Sequence, residues 1–343
     1  MAAVATAAPR TQLNVPFIVL MSALGLGMLL PLAQAGTTVA FYLEVLLGGL
    51  MTGVLYSLVA LGFVLIFKAS GVFNFAQGAM VLFAALAMAR LAERMPWPLA
   101  FVLAALVMIA FAFLVERLVL RKLVNQEGVT LLMATLGVAF FLDGFGQTIW
   151  GSDIYRIDLG IARDPLFVLE NVFQGGILLN RDDVLAAVLA AALVLVLALF
   201  FQRTATGRAL RAVADDHQAA QSIGIPLSRI WVIVWSVAGF VALVAGMVWG
   251  SKLGVQFSLQ EIAFRALPVV ILGGLTSVPG AIVAGLIIGV GEKMAEIFFG
   301  PILVRTFDLA GGGIENWFAY VLALIFLLVR PEGLFGEKHI DRV

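Results

Sequence analysis

Asp143 and Gln147 stand four residues apart inside an otherwise apolar stretch. At that spacing both side chains lie on one face of a helix. A carboxylate beside an amide can bind a polar solute, couple an ion or bond a neighbouring helix. Glu292 and Lys293 are the other ionisable groups in apolar surroundings. They lie toward the outer end of their run, where snorkelling or pairing also explains them. Neutral polar side chains gather at two more places, Asn74 and Gln77 within residues 68–78, and Thr276 and Ser277 within residues 273–280. Such groups offer hydrogen bonds without fixed charge, which suits passing a zwitterion without trapping it. Phe73 and Phe75 flank Asn74 and read equally as an apolar gate or as packing. Covalent and metal chemistry have little to work with. There is no cysteine, and the two histidines, His217 and His339, are far apart in sequence. Disulfides, thiolate nucleophiles, a metal site and an intramembrane enzyme are therefore disfavoured.

The elements that must position these groups follow from the charges. Of 343 residues, 62% are hydrophobic and only 12% charged, 21 basic and 21 acidic. A soluble domain carries about 25% charged residues, so a water-soluble globule is excluded. The zero net charge argues against nucleic acid as a partner, which needs a basic face. No charge occurs in residues 11–43, 45–67, 69–89, 95–115, 184–202, 230–251 or 266–291, and shorter clean runs lie at 128–142 and 316–329. A spanning helix needs about 20 apolar residues. No run alternates at period two, which disfavours a β-barrel. The expected fold is all-α, a polytopic membrane protein with about 8–10 transmembrane helices, some broken at Gly-rich segments. Spans are expected at 17–35, 41–67, 71–91, 97–115, 129–151, 184–201, 230–253, 263–275, 280–299 and 317–329. The pieces 263–275 and 317–329 are too short to cross untilted at about 1.5 Å per residue.

Basic clusters at 116–122 and 203–211 set the orientation, with Lys68, Arg330 and the C-terminus inside. Residues 1–38 read as an N-terminal extension. It is an extra span or, given Arg10, an apolar run and Ala33-Gln34-Ala35, a cleavable signal. The mixed-charge stretch 152–183 falls outside, as a solvated loop or a docking surface. Residues 202–229 form the largest inner loop. Thr206 can cap a helix there, Leu210 and Val213 share a face, residues 215–217 break it, and a second short helix stops at Gly224 before Pro226. Such a loop is suited to being gripped by a partner. Residues 68–78 and 273–280 interrupt apolar runs. Irregular backbone at membrane depth persists only beside protein or water, and paired interruptions in two halves of a chain point to a translocation path. Tight turns between hairpin helices are the plainer reading.

Three blocks carry a family resemblance. Gly62-Phe63-Val64-Leu65-Ile66-Phe67-Lys68-Ala69-Ser70-Gly71-Val72-Phe73-Asn74-Phe75-Ala76-Gln77-Gly78 resembles the first signature of the inner-membrane permeases of branched-chain amino acid ABC transporters. Leu272-Gly273-Gly274-Leu275-Thr276-Ser277-Val278-Pro279-Gly280-Ala281 resembles their second, and Arg330-Pro331-Glu332-Gly333-Leu334-Phe335-Gly336 their ending. Gln218-Ala219-Ala220-Gln221-Ser222-Ile223-Gly224 resembles the start of the ABC-permease coupling loop, with Gln218 in place of Glu.

The resemblance implies a permease domain over 39–336, a cytoplasmic coupling loop at 202–229 and a cytoplasmic tail at 337–343. It implies a multi-pass protein of the bacterial inner (cytoplasmic) membrane, working with a second permease subunit, two ATP-binding cassette subunits and a periplasmic solute-binding protein. The chain has no Gly-x-x-x-x-Gly-Lys-Ser/Thr motif, so ATP would be bound by the partners, and neither a cofactor nor a metal is expected here. The translocation path would involve Gly71, Phe73, Asn74, Phe75, Gln77, Gly78, Asp143, Gln147, Gly273, Gly274, Thr276, Ser277, Pro279 and Gly280. ATPase coupling would involve Arg208, Arg211, Gln218, Ala219, Ala220 and Gly224. Arg208 and Arg211 could instead meet lipid phosphates. Branched-chain or other hydrophobic amino acids are the implied substrates, with urea or short amides and aromatic acids as alternatives. An ion-coupled secondary transporter is the rival from another class, although it would usually carry more buried carboxylates.

Overall fold

Each long charge-free run becomes a helix, because at membrane depth a backbone can satisfy its polar groups only internally. The computed structural model describes residues 15–33, 37–123, 126–160, 164–215, 217–308 and 313–336. In chain order the helices are α1 (Val15–Leu29), α2 (Val39–Ser70), α3 (Gln77–Ala92), α4 (Trp97–Leu118), α5 (Gly128–Trp150), α6 (Arg181–Arg203), α7 (Ala205–Asp215), α8 (His217–Ser222), α9 (Leu227–Leu253), α10 (Ile262–Gly273), α11 (Val278–Met294), α12 (Gly300–Phe307) and α13 (Ile314–Val329). Two short strands, β1 (Pro165–Val168) and β2 (Ile177–Asn180), form an antiparallel hairpin between α5 and α6. The chain is thus an all-α polytopic membrane protein. Among the described residues, six helical segments are long and apolar enough to cross a membrane. Residues 257–273 and 278–307 form a pair bent by 117°, and α3 and α13 are shorter apolar helices. The expected count of spans is reached once the bent pair and these short helices are included.

The differences from expectation have local causes. The span expected at 71–91 starts only at Gln77. Gly71 ends α2 in the left-handed conformation (φ 70°), its N–H bonding Phe67 O at 2.7 Å, and residues 72–76 then turn. The span expected at 280–299 continues through a π-turn, Ala295–Phe299, into α12. The first span is α1 followed by a 3-10 turn, Leu30–Ala33. Arg10, the rest of the proposed cleavage triplet (Gln34 and Ala35) and the tail 337–343 lie outside the described residues.

The core is centred on α2, which packs most extensively against α11 and also against α9, α6 and α10. The α2–α11 contact is backbone to backbone. A Cβ placed on Gly53 would lie 2.6 Å from Gly285 O, and one on Gly289 would lie 2.4 Å from Gly53 Cα. Small residues four apart let two helices approach this closely. Ser57, one turn further, donates to Gly53 O (2.8 Å) and Ile282 O (3.2 Å). By contrast α5 packs chiefly on α3. At the end opposite the basic clusters, Tyr155 and Val255 form a bridge, Lys252 pairs with Asp183, and Leu178 N donates to Glu44 Oε2 at 3.4 Å. The mixed-charge segment is thereby tied across the ends of α2, α6 and α9.

Candidate functional site

The first break, between α2 and α3, is held by side chains from other helices. Asn74 is fully buried, its Oδ1 accepts from Ala76 N at 3.1 Å, and its Nδ2 donates to Gln77 Oε1 at 3.4 Å. Gln77 is also fully buried and lies directly against Gly62 of α2. These two amides point into the protein rather than into open space. Thr135 of α5 accepts from Phe75 N (3.3 Å) and can donate to Phe73 O (3.3 Å). Trp231 of α9 donates its indole N–H to Ala69 O at 3.0 Å. The polar backbone that the break exposes is therefore satisfied internally, as membrane depth demands.

The second break, between α10 and α11, meets the first at the basic end. Lys68 Nζ donates to Thr276 O at 3.3 Å. Gly273 and Gly280 touch through their backbones, and Gly274 takes a positive φ of 98°. Ser277 caps α11 by accepting from Gly280 N at 3.1 Å, and Pro279 sits in the first turn. The C-terminal block closes over the same turn, with Leu334 N bonding Leu272 O (2.7 Å) and Phe335 N bonding Gly273 O (3.2 Å). Three blocks far apart in the sequence thus meet in one joint.

Two clefts adjoin these breaks, and they divide the proposed path residues. One, of about 240 Å³, runs between α5 and α10 and is lined by Phe73, Phe75, Gly78 and Asp143, with Phe140 and Phe264 on its walls. The other, of about 220 Å³, lies at the basic end and is lined by Thr276, Ser277 and Pro279 together with Lys68, Gly207 and Arg211. Phe73 stacks on Phe63 with centroids 4.7 Å apart and meets Phe75 edge-on at 5.1 Å. Gln147 lies half-buried one turn beyond Asp143 and outside the set lining either cleft.

The loop at 202–229 forms the two expected helices, with one correction. The capping residue is Thr204, not Thr206. Its Oγ1 accepts from Gly207 N at 3.2 Å and donates to Phe200 O at 2.7 Å, so α7 starts immediately after α6 ends. Gly207 lies so close to α6 that a Cβ there would meet Phe201 O at 1.8 Å. Arg211 turns back to donate to Phe201 O (2.8 Å), and Arg208 to Arg203 O (3.4 Å). Both arginines cap the free carbonyls of α6, which welds α7 to that helix. In α8 Ala220 is buried, whereas Gln218 and Ala219, and Ile223 and Gly224 just after the helix, are exposed. Gly224 takes φ 86°, has open space around it and ends α8. Asp216 lies outside the described residues.

Glu292 neither snorkels nor faces solvent. It is buried and accepts from the Tyr56 hydroxyl of α2 at 3.0 Å, while Lys293 pairs with Glu296 at 2.8 Å. Arg265 of α10 adds a positive charge to the cluster and interacts electrostatically with Tyr56 and Glu292. Sequence reading missed Tyr56, Arg265, Thr135 and Trp231. The visible signals were an arginine at the start of the charge-free run 266–291 and a threonine two helical turns into the run 128–142. Among the described residues no cluster of acidic or histidine side chains could hold a metal.

The family model described as branched-chain amino acid transport system / permease component matches residues 45–330. The high-affinity branched-chain amino acid transport system permease protein BraD of Pseudomonas aeruginosa is 28% identical over 315 residues, covering 88% of this chain and 98% of that protein. The corresponding permease LivH of Salmonella typhimurium is 24% identical over 327 residues, covering 88% and 98%. A probable LivH of Methanocaldococcus jannaschii is 27% identical over 314 residues, covering 85% and 92%.

Proposed function

This chain belongs to the branched-chain amino acid transport permease family, and from that premise we propose that it is one permease half of an ABC importer for branched-chain or other hydrophobic amino acids in the inner membrane. It works with a second permease subunit, two cytoplasmic ATP-binding subunits and a periplasmic solute-binding protein. It binds no ATP itself. The observation that carries this reading is the joint at the basic end, where α6, α7, the α10–α11 turn and the C-terminal block meet around one cleft.

The geometry supports alternating access. The exposed side of α8, with Gln218, Ala219 and Gly224, docks on an ATPase. Motion of that ATPase reaches α6 directly through α7, because Gly207, Thr204 and Arg211 leave no slack between them. The cleft at the joint carries the displacement to the second break through Lys68 and Thr276. Arg208 and Arg211 act as braces within the lever rather than as ion-pair partners of the ATPase.

The test is co-purification with candidate ATP-binding subunits, comparing wild type with Gly224→Arg, and leucine uptake into proteoliposomes. Gly224 is exposed with a positive φ, so the bulky substitution distorts the docking tip and leaves the membrane core alone. We expect wild type to retain the ATPases and take up leucine only with ATP, and the variant to lose both. Uptake driven by an ion gradient without any ATPase would replace this reading with a secondary transporter.

A further inference from the structure

Asp143 is the one charged residue of α5, and its Oδ1 is enclosed by protein without a hydrogen-bond partner. A carboxylate left unpaired at membrane depth is costly, and an intramembrane ionisable group marks a functional site by default. Among the described residues no basic side chain pairs with it. Arg265 is engaged with Tyr56, and Arg90 of α3 pairs with Glu93 at 2.5 Å. A cation that completes Asp143 would enter by the cleft that this residue lines.

The surroundings say which kind. Asp143 lines the cleft between α5 and α10, whose lining also includes Phe73, Phe75, Phe140, Phe264 and Gly78. Gln260 stands on the α10 side of the same cleft. A carboxylate, an amide and a phenylalanine wall match the three parts of an apolar α-amino acid. Aromatic faces also favour an ammonium group beside them. Resting on the function proposed above, we propose that Asp143 holds the α-ammonium of the solute in this cleft, with Gln260 facing its carboxylate and the phenylalanines its side chain. Gly78 lets α3 pack closely on the turn before α10, since a Cβ there would come within 2.4 Å of Gln260 O.

The test uses the whole transporter in proteoliposomes, both permease subunits with the ATP-binding subunits and the binding protein, and reads ATP-driven uptake of labelled leucine. Asp143→Asn keeps shape and removes charge. It is expected to lower the maximal uptake rate at least tenfold, with Asp143→Glu restoring at least a third of it and the subunit composition unchanged on size exclusion. Gln260→Leu, which leaves α5 untouched, is expected to lower it at least fivefold. Uptake by Asp143→Asn within twofold of wild type overturns the proposal. So does loss of the second permease subunit from Asp143→Asn, which assigns the carboxylate to the subunit interface. If Asp143→Asn fails to assemble at all, Gln260→Leu decides, and unchanged uptake there overturns it. Wild-type complex that takes up no leucine rejects the proposed function itself, a result distinct from any of these.

Discussion

Two walls of the molecule are built on opposite principles. Along α2 and α11 the backbones touch, through Gly49, Gly53, Gly285 and Gly289, and 72% of the apolar window of α2 lies inside the protein. In α5 that share is 22%. Its glycines Gly137 and Gly144 have nothing within 4 Å of an added Cβ, and Phe140 and Phe141 are 75% and 59% exposed. In lipid, helix association depends on close packing rather than on expulsion of water. The first wall is held by backbone contact, while the second leaves most of its apolar surface for lipid or another subunit. The cleft containing Asp143 lies on the side of α5, the sparsely packed wall.

The sharpest way to break this contrast is to add one methyl group to the tight wall. In Gly289→Ala the new Cβ falls 2.4 Å from Gly53 Cα and N and 2.5 Å from Gly49 O, all backbone atoms. Overpacking of this kind costs about 3 kcal/mol. We expect a large drop in the thermal midpoint in detergent and a poor yield of monodisperse protein. A midpoint unchanged from wild type would show that the α2–α11 contact yields as readily as α5 does.

A smaller effect is expected where the two walls communicate. Thr135 is the point at which α5 reaches the first break, with Phe75 N–H donating to its hydroxyl oxygen at 3.3 Å. Thr135→Val keeps the shape and leaves Phe75 N–H without its acceptor, at a cost of about 1–3 kcal/mol. Amide hydrogen exchange should speed up at residues 73–76 while residues 53–57 stay protected. Acceleration spread evenly over both would mean that the two walls open together.

Much of this architecture was legible in the sequence, because charge-free runs report helices directly. Both breaks and the short helices of residues 202–229 were legible as well, since Gly71, Gly224 and Gly274 stop helices by taking positive φ. The close wall was also written there, as Gly49, Gly53 and Ser57 facing Ala281, Gly285 and Gly289, but spacing by four does not say which helix is the partner. The joint at the basic end needed three-dimensional placement for the same reason. Arg211 reads as an exposed loop cation until α7 is seen folded back on the end of α6. Asn74 and Gln77 read as path residues, yet the break turns their amides inward. Whether a polar side chain at such a break faces a path or the core depends on the direction of a turn, which side-chain type does not encode.

The mildest substitution is the most informative about α5. Gly137→Ala adds the same methyl group as Gly289→Ala, but into open space. In the isolated chain it replaces a helix-interior glycine by the best helix former, worth about 0.5–1 kcal/mol of stabilisation. The thermal midpoint of the single permease subunit should therefore rise slightly. Gly137 also lines an apolar hollow between α4 and α5, with Phe111, Leu114 and Phe141. If only lipid fills that hollow, the assembled transporter should show the same small gain, because acyl chains adapt to a methyl group. If another subunit packs there, the same methyl group should weaken assembly. Opposite signs in the isolated subunit and in the complex would place a protein neighbour against α5.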